Sequence, residues 1–145
     1  MFNAIEKLAK RFNVRIIYLF GSRKDEGTGY LKGHPVSSKV KSDLDVGVVF
    51  GGLPPNKTEV YGQMYIELSE IFEPFEIDLV FLEETDSLFQ YEAIKGEVVY
   101  YDDMDFLDSY EESVMKRAED YSFKLKEFER DLLEGIRDGY FEIKS

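Results

Sequence analysis

Asp43 and Asp45 stand two positions apart in Ser42-Asp43-Leu44-Asp45, at the head of the apolar run Val46 to Phe50. Alternate side chains of a strand project to the same side, so the two carboxylates point together while Leu44 turns to the core. Carboxylates held this close repel each other unless a cation lies between them, and their hard oxygens suit Mg²⁺. A solvated strand edge is the plainer reading of most such pairs. Gly21-Ser22 ends an earlier β-branched and aromatic run. Glycine lets the backbone approach a ligand closely, and the serine hydroxyl with free N–H groups can bind phosphate oxygens. Taken alone, such a pair is more often a simple turn. Asp78 is the lone acid in Ile77-Asp78-Leu79-Val80-Phe81-Leu82. A carboxylate inside a core strand is costly unless it is paired or holds a metal, and the competing reading is an edge strand with one wet face. Alternation puts Asp78 on a face with Glu76 and Val80, opposite Ile77, Leu79 and Phe81.

The elements that must position these groups follow from the hydrophobic pattern. Phe2, Ile5, Leu8 or Ala9, and Phe12 recur at helical spacing, and Val14 to Phe20 reads as a buried strand. Lys24 to Ser42 contains Gly27, Gly29, Gly33 and Pro35, which predicts a loop after at most a short helical turn. Leu44 to Phe50 reads as a second strand, closed by Gly51-Gly52 and Pro54-Pro55. Asn56 with Glu59 resembles a capping arrangement before a helix marked by Val60, Met64, Leu68, Ile71 and Phe72. Phe75 to Leu82 forms the third strand; Thr85 or Asp86 caps a helix that runs to Lys95 and stops at Gly96. Val98 to Tyr101 is short and β-prone, and the longest periodic stretch runs from Asp105 to about Gly135. Helices alternating with strands predict an α/β fold.

Composition narrows the chemistry. The 145 residues contain no cysteine and one histidine, which excludes thiolate zinc sites, cysteine nucleophiles and multi-histidine metal centres. No apolar run approaches a membrane span and the start lacks the apolar core of a signal peptide, so the expectation is a cytoplasmic protein without membrane contact. The net charge of −12 is poorly suited to direct nucleic-acid binding. It is unevenly placed: residues 1–58 carry 10 Lys/Arg against 5 Asp/Glu, and residues 59–145 carry 8 against 25. This asymmetry suggests an anionic ligand for the first half and a basic partner for the second, with an acidic solvated surface as the alternative.

In combination, the stretches LFGSR, SDLDVGVVF and EIDLVFL resemble the DNA polymerase beta-type nucleotidyltransferase superfamily over roughly residues 14–82. The resemblance implies a nucleotidyltransferase fold, a mixed β-sheet flanked by helices with a long C-terminal helix. It implies that Gly21 and Ser22 hold the triphosphate of ATP. Asp43, Asp45 and Asp78 would be the catalytic acids, binding two Mg²⁺ ions that bridge the phosphates and activate the acceptor hydroxyl. Arg23 and Lys24, next along the loop, are candidates for phosphate contact. The organisation expected is one nucleotidyltransferase domain over 1–145, with a core at 1–101 and a helical extension at 102–145.

The small size, the segment Ala93 to Tyr100 and the acidic helix after it look like the minimal nucleotidyltransferases called MNT proteins. Those are antitoxins encoded beside small helical HEPN toxins. The likeness implies transfer of AMP to a tyrosine of a HEPN partner. A small-molecule nucleotidyltransferase of the aminoglycoside-modifying kind, or a toxin-binding module without activity, are the alternatives. The 20 residues between Ser22 and Asp43 make a longer spacer than that family usually has, a candidate lid or docking loop carrying Lys32, His34, Lys39 and Lys41, or a passive surface excursion. The ten tyrosines fall mostly at core spacings, and His34, in a loop before Pro35, is a weak catalytic candidate. The stripe Ala118, Tyr121, Leu125, Phe128, Leu132 either packs on the protein's own sheet or docks another helix, in an oligomer or a hetero-complex.

Overall fold

A computed structural model describes residues 2–34 and 43–137. Residues 35–42, which hold Lys39, Lys41 and the last eight positions of the proposed lid or docking loop, lie outside the described residues, as does the end of the C-terminal extension.

Four strands form one sheet. They are β1 (Ile16–Phe20), β2 (Leu44–Val49), β3 (Ile77–Phe81) and β4 (Glu97–Tyr101), in the order β3-β2-β1-β4. β1 runs antiparallel to β2 and β4, whereas β2 and β3 are parallel. The mixed sheet matches the expected α/β class.

The period-two alternation divides the strand residues between two cores. Ile17, Leu19, Leu44, Val46, Val48, Ile77, Leu79 and Phe81 face one side. They pack there against Ile5, Leu8 and Ala9 of α1 (Phe2–Phe12) and Val60, Met64 and Leu68 of α3 (Lys57–Ile71). Ile16, Tyr18, Phe20 and Val49 face the other side, covered by Ala93 of α4 (Ser87–Ile94) and Leu107 of α5 (Met104–Arg137). Asp45 alternates with Val49, and Asp78 with Val80, so both acids lie on this second face.

Several expectations need correction. Lys24–Leu31 is a helix, α2, rather than mostly loop. Its two glycines cost about 2 kcal/mol of helix propensity, which burial of Leu31 offsets by roughly 1.5–3 kcal/mol. Gly27 also fits its place: a Cβ there would come within 2.7 Å of the Leu44 side chain and 3.0 Å of Leu19. The helix lies closer to the sheet than any larger residue would allow. Asn56 occupies the N-cap position of α3, but its side chain makes no capping bond. Asp86 does cap α4, accepting a hydrogen bond from the Phe89 N–H at 2.8 Å. The third strand stops at Phe81, and Leu82–Glu84 forms a 3-10 turn.

The long helix behaves in two ways along its length. Leu107, Val114 and Ala118 are buried, while Tyr121, Leu125, Phe128 and Leu132 are exposed. The stripe therefore packs on the body only as far as Ala118. Among the described residues, no helix is long and apolar enough to cross a membrane.

Candidate active site

Strand register assembles the acids. Phe20, the last residue of β1, pairs with Asp45 of β2, and Asp45 pairs with Asp78 of β3. In a parallel pair these two side chains rise from neighbouring strands on one face. Gly21 follows Phe20 directly and adopts φ +77°, a left-handed conformation that favours glycine. The Asp45 carboxylate lies where a Cβ on Gly21 would have to sit. Glycine is thus required twice, by the backbone conformation and by the carboxylate seated against it.

Asp45 is half-buried, whereas Asp43, Asp78, Gly21 and Ser22 are exposed. The arrangement is an open ledge of carboxylates beside the β1–α2 turn. Burial raises the Asp45 pKa above the ordinary carboxylate value, and the charges of Asp78 and Asp43 raise it further. Two of the sequence-derived acids thus press electrostatically on the third. Asp78 follows the edge-strand reading, because β3 is an edge strand and the side chain meets solvent. Its position follows from sharing a face with Asp45 rather than from burial in a core.

The turn leads into α2, whose N-terminus no side chain caps, leaving the first-turn N–H groups to other partners. Arg23 itself is turned inward. The residue is 3% exposed, and its guanidinium bonds Glu26 at 2.9 Å and lies 4.8 Å from the centre of the Phe75 ring. Lys24 donates to the Lys95 carbonyl at 3.4 Å, joining α2 to the end of α4. The side chains of Arg23 and Lys24 therefore brace the turn on both sides. His34 lies against Gly29 at the far end of α2, in a cleft of about 260 Å³ with Asp25, Thr28, Lys32 and Glu97, and does not join the acids.

Tyr61 went unremarked in the sequence. From α3 it packs on the Phe81 ring at 5.3 Å and donates to the Leu79 carbonyl of the edge strand at 2.8 Å, with Tyr65 stacked beside it at 6.3 Å. Burial and the Asp78 charge both raise its pKa, which places the phenol in the field of that carboxylate. No local pattern marks it, since it depends on which strand lies at the edge.

The donor set suits Mg²⁺. Among the described residues no three His, Cys, Asp or Glu side chains close into a protein-only metal cage. Mg²⁺ needs none, because it commonly keeps waters and takes one or two carboxylates plus substrate phosphates. Asp43 and Asp45 can supply those carboxylates, with Asp78 adjacent, and a cation there would relieve the mutual repulsion that raises Asp45.

Among solved structures, the chain is similar to a chain of the MntA–HpeT toxin–antitoxin complex carrying two Asp-to-Glu changes, with TM-score 0.65 and 15% identity over 92% of this chain and 98% of that one. It is also similar to a chain of the tri-AMPylated Shewanella oneidensis HEPN toxin in complex with MNT antitoxin, with TM-score 0.61, 16% identity, and 91% and 95% covered. A toxin–antitoxin structure with AMP-PNP gives TM-score 0.62 and 18% identity over 91% of this chain and 98% of that one. Identities this low establish a shared fold. No curated protein matches the chain by sequence. The family described as Polymerase beta, Nucleotidyltransferase matches residues 3–105, which include the Gly-Ser turn and all three acids; the chain belongs to that family.

Proposed function

We propose that the protein transfers AMP from ATP to a tyrosine hydroxyl of a HEPN toxin and thereby acts as its antitoxin. The observation that carries the transfer is the seating of the Asp45 carboxylate against Gly21, with Asp78 in register beside it. This couples a phosphate-binding turn to a carboxylate ledge with no room between them. The choice of nucleotide and acceptor draws support from the similar structures, one holding AMP-PNP and one a tri-AMPylated HEPN toxin.

Ser22 and the uncapped N–H groups opening α2 hold the triphosphate, where the helix dipole favours negative charge. The Arg23 side chain acts on the nucleotide through the turn it braces rather than by reaching the phosphates. Asp43 and Asp45, with Asp78, would hold Mg²⁺, two ions in the full site, which supplies charge neutralisation at the phosphates and polarises the acceptor oxygen. The acceptor oxygen forms a bond to the α-phosphorus, the α–β anhydride bond breaks, and pyrophosphate leaves. Asp78, open to solvent at the sheet edge, either receives the hydroxyl proton or completes the ligand set. That openness suits a protein substrate, whose tyrosine must reach the ledge from outside.

Co-expression with a small helical HEPN protein, followed by intact-mass measurement, tests this directly. With ATP and Mg²⁺ the partner should gain the mass of one AMP per modified hydroxyl. Asp43→Asn with Asp45→Asn should leave it unmodified. A partner that is never modified, yet is silenced equally by wild type and double mutant, would establish a binding module in place of the enzyme.

A further inference from the structure

The distal half of α5 carries a seam that the body does not cover. Ala118, Tyr121, Leu125, Phe128, Leu132 and Gly135 follow one another at spacings of 3, 4, 3, 4 and 3 residues. This is the period of a helix-pairing seam. The same side of the helix buries Leu107 and Val114 against the body, and Ala118 is 5% exposed. Beyond it, Tyr121 is 49% exposed, Leu125 43%, Phe128 63% and Leu132 37%. Phe123 and Leu133 are also exposed but lie off this seam.

The charges bordering the seam point to its occupant. A strongly basic partner would call for a uniformly acidic border. Residues 118–137 instead hold six acids and four bases, and the positions flanking the seam are Lys124 and Asp131 on one side, Ser122 and Glu129 on the other. Such a border complements itself. We propose that the seam pairs with the same seam of a second copy of this chain, the two helices running antiparallel.

In that pairing Leu125 meets the partner's Phe128 and Tyr121 meets the partner's Leu132, while the small Gly135 of each copy comes up to the place where the partner's Ala118 is already covered by its own body. The large side chains fill the middle while small ones let the ends close where α4 stands beside α5. Lys124 faces the partner's Asp131, and symmetry repeats the contact. The direction follows from the rest of the molecule. Residues 1–117 hold 22 Asp/Glu against 13 Lys/Arg, so each body carries −9. A parallel pair would set two such bodies side by side. The antiparallel pair puts them at opposite ends of about 25 Å of helix, well beyond the ~8–10 Å screening length at physiological salt. The catalytic ledge takes no part, so the proposal stands apart from nucleotidyl transfer.

Sedimentation equilibrium of the full chain over a concentration series tests it. Wild type should pass from monomer to dimer mass. Leu125→Glu, at an exposed position, should stay monomeric with an unchanged far-UV spectrum. Lys124→Glu should weaken association about tenfold, and adding Asp131→Lys should restore it, because both opposed pairs are then re-formed with reversed sign. Restoration by Glu129→Lys instead of Asp131→Lys would mean a parallel pair and overturn the arrangement. Wild type that remains monomeric throughout overturns the proposal, including the case in which a different protein binds the seam.

Discussion

Gly21 is the residue on which the ledge depends, because its missing side chain is the space the Asp45 carboxylate occupies. Gly21→Ala should destabilise the protein by about 1–2 kcal/mol through the left-handed backbone alone, measurable by denaturant unfolding. It should also abolish nucleotide transfer, because the new methyl must displace the carboxylate. On the proposed role of Ser22, Ser22→Ala would remove a hydrogen bond to the triphosphate, worth ~1.5–3 kcal/mol for a charged group, so calorimetry should show ATP binding weakened by roughly ten- to a hundredfold. At this scale the candidate site was legible in the sequence because its residues sit in short contiguous stretches. Asp43 and Asp45 share a face by strand alternation alone, and Gly-Ser marks the turn wherever the strands lie. For Asp78 the sequence left two readings, a costly buried carboxylate and an edge strand with one wet face. Its apolar neighbours suggested a buried carboxylate, but strand order, which no local pattern encodes, puts it at a wet edge. The inward turn of Arg23 depends likewise on Phe75, more than fifty residues away.

The strands and the long helices were readable because their apolar periods are strong and their ends carry breakers or caps. α2 was not, since two glycines in eight residues argue against a helix until Leu44 and Leu19 are seen pressed against Gly27. The joint between α5 and the sheet was equally hidden. Glu111 is part-buried there, and burial together with the nearby charge of Asp108 raises its pKa. Its own charge, with burial, raises the pKa of Tyr18 on β1; Tyr110, one residue before it on α5, is also raised by burial and by Glu83. A carboxyl whose pKa is higher in the folded than in the unfolded state binds its proton more tightly when folded. It therefore lowers stability at pH values above the raised pKa and costs nothing below the unfolded one. Glu111→Gln should accordingly raise the thermal midpoint at pH 7–8, and the gain should shrink away as pH falls below the ordinary carboxylate range. Melting curves of both proteins across that range check it, and a gain that persists in acid would assign the effect to packing instead.

Seen whole, the molecule is a two-cored body from which a helix continues outward. Both cores are complete by Ala118, and among the described residues beyond it only Gly135 is buried. The distal half of α5 therefore adds little to the stability of an isolated body, since side chains that stay in water contribute none of the roughly 1.5–3 kcal/mol that burial of a large apolar residue brings. Its contribution comes through association. A species that binds only the folded state stabilises it by RT ln(1 + [L]/Kd), so the thermal midpoint of the full chain should climb with protein concentration. A chain ending at Ser122, one turn beyond Ala118, should keep the same far-UV signature per helical residue and melt at one temperature at every concentration. On dilution the two should converge to within about 2 °C, the shift expected for less than ~0.5–1 kcal/mol in a body of this size. Scanning calorimetry of both forms over a dilution series decides the matter. A shortened chain that melts far below the full one even at the greatest dilution would mean that the outer helix supports the body from which it extends.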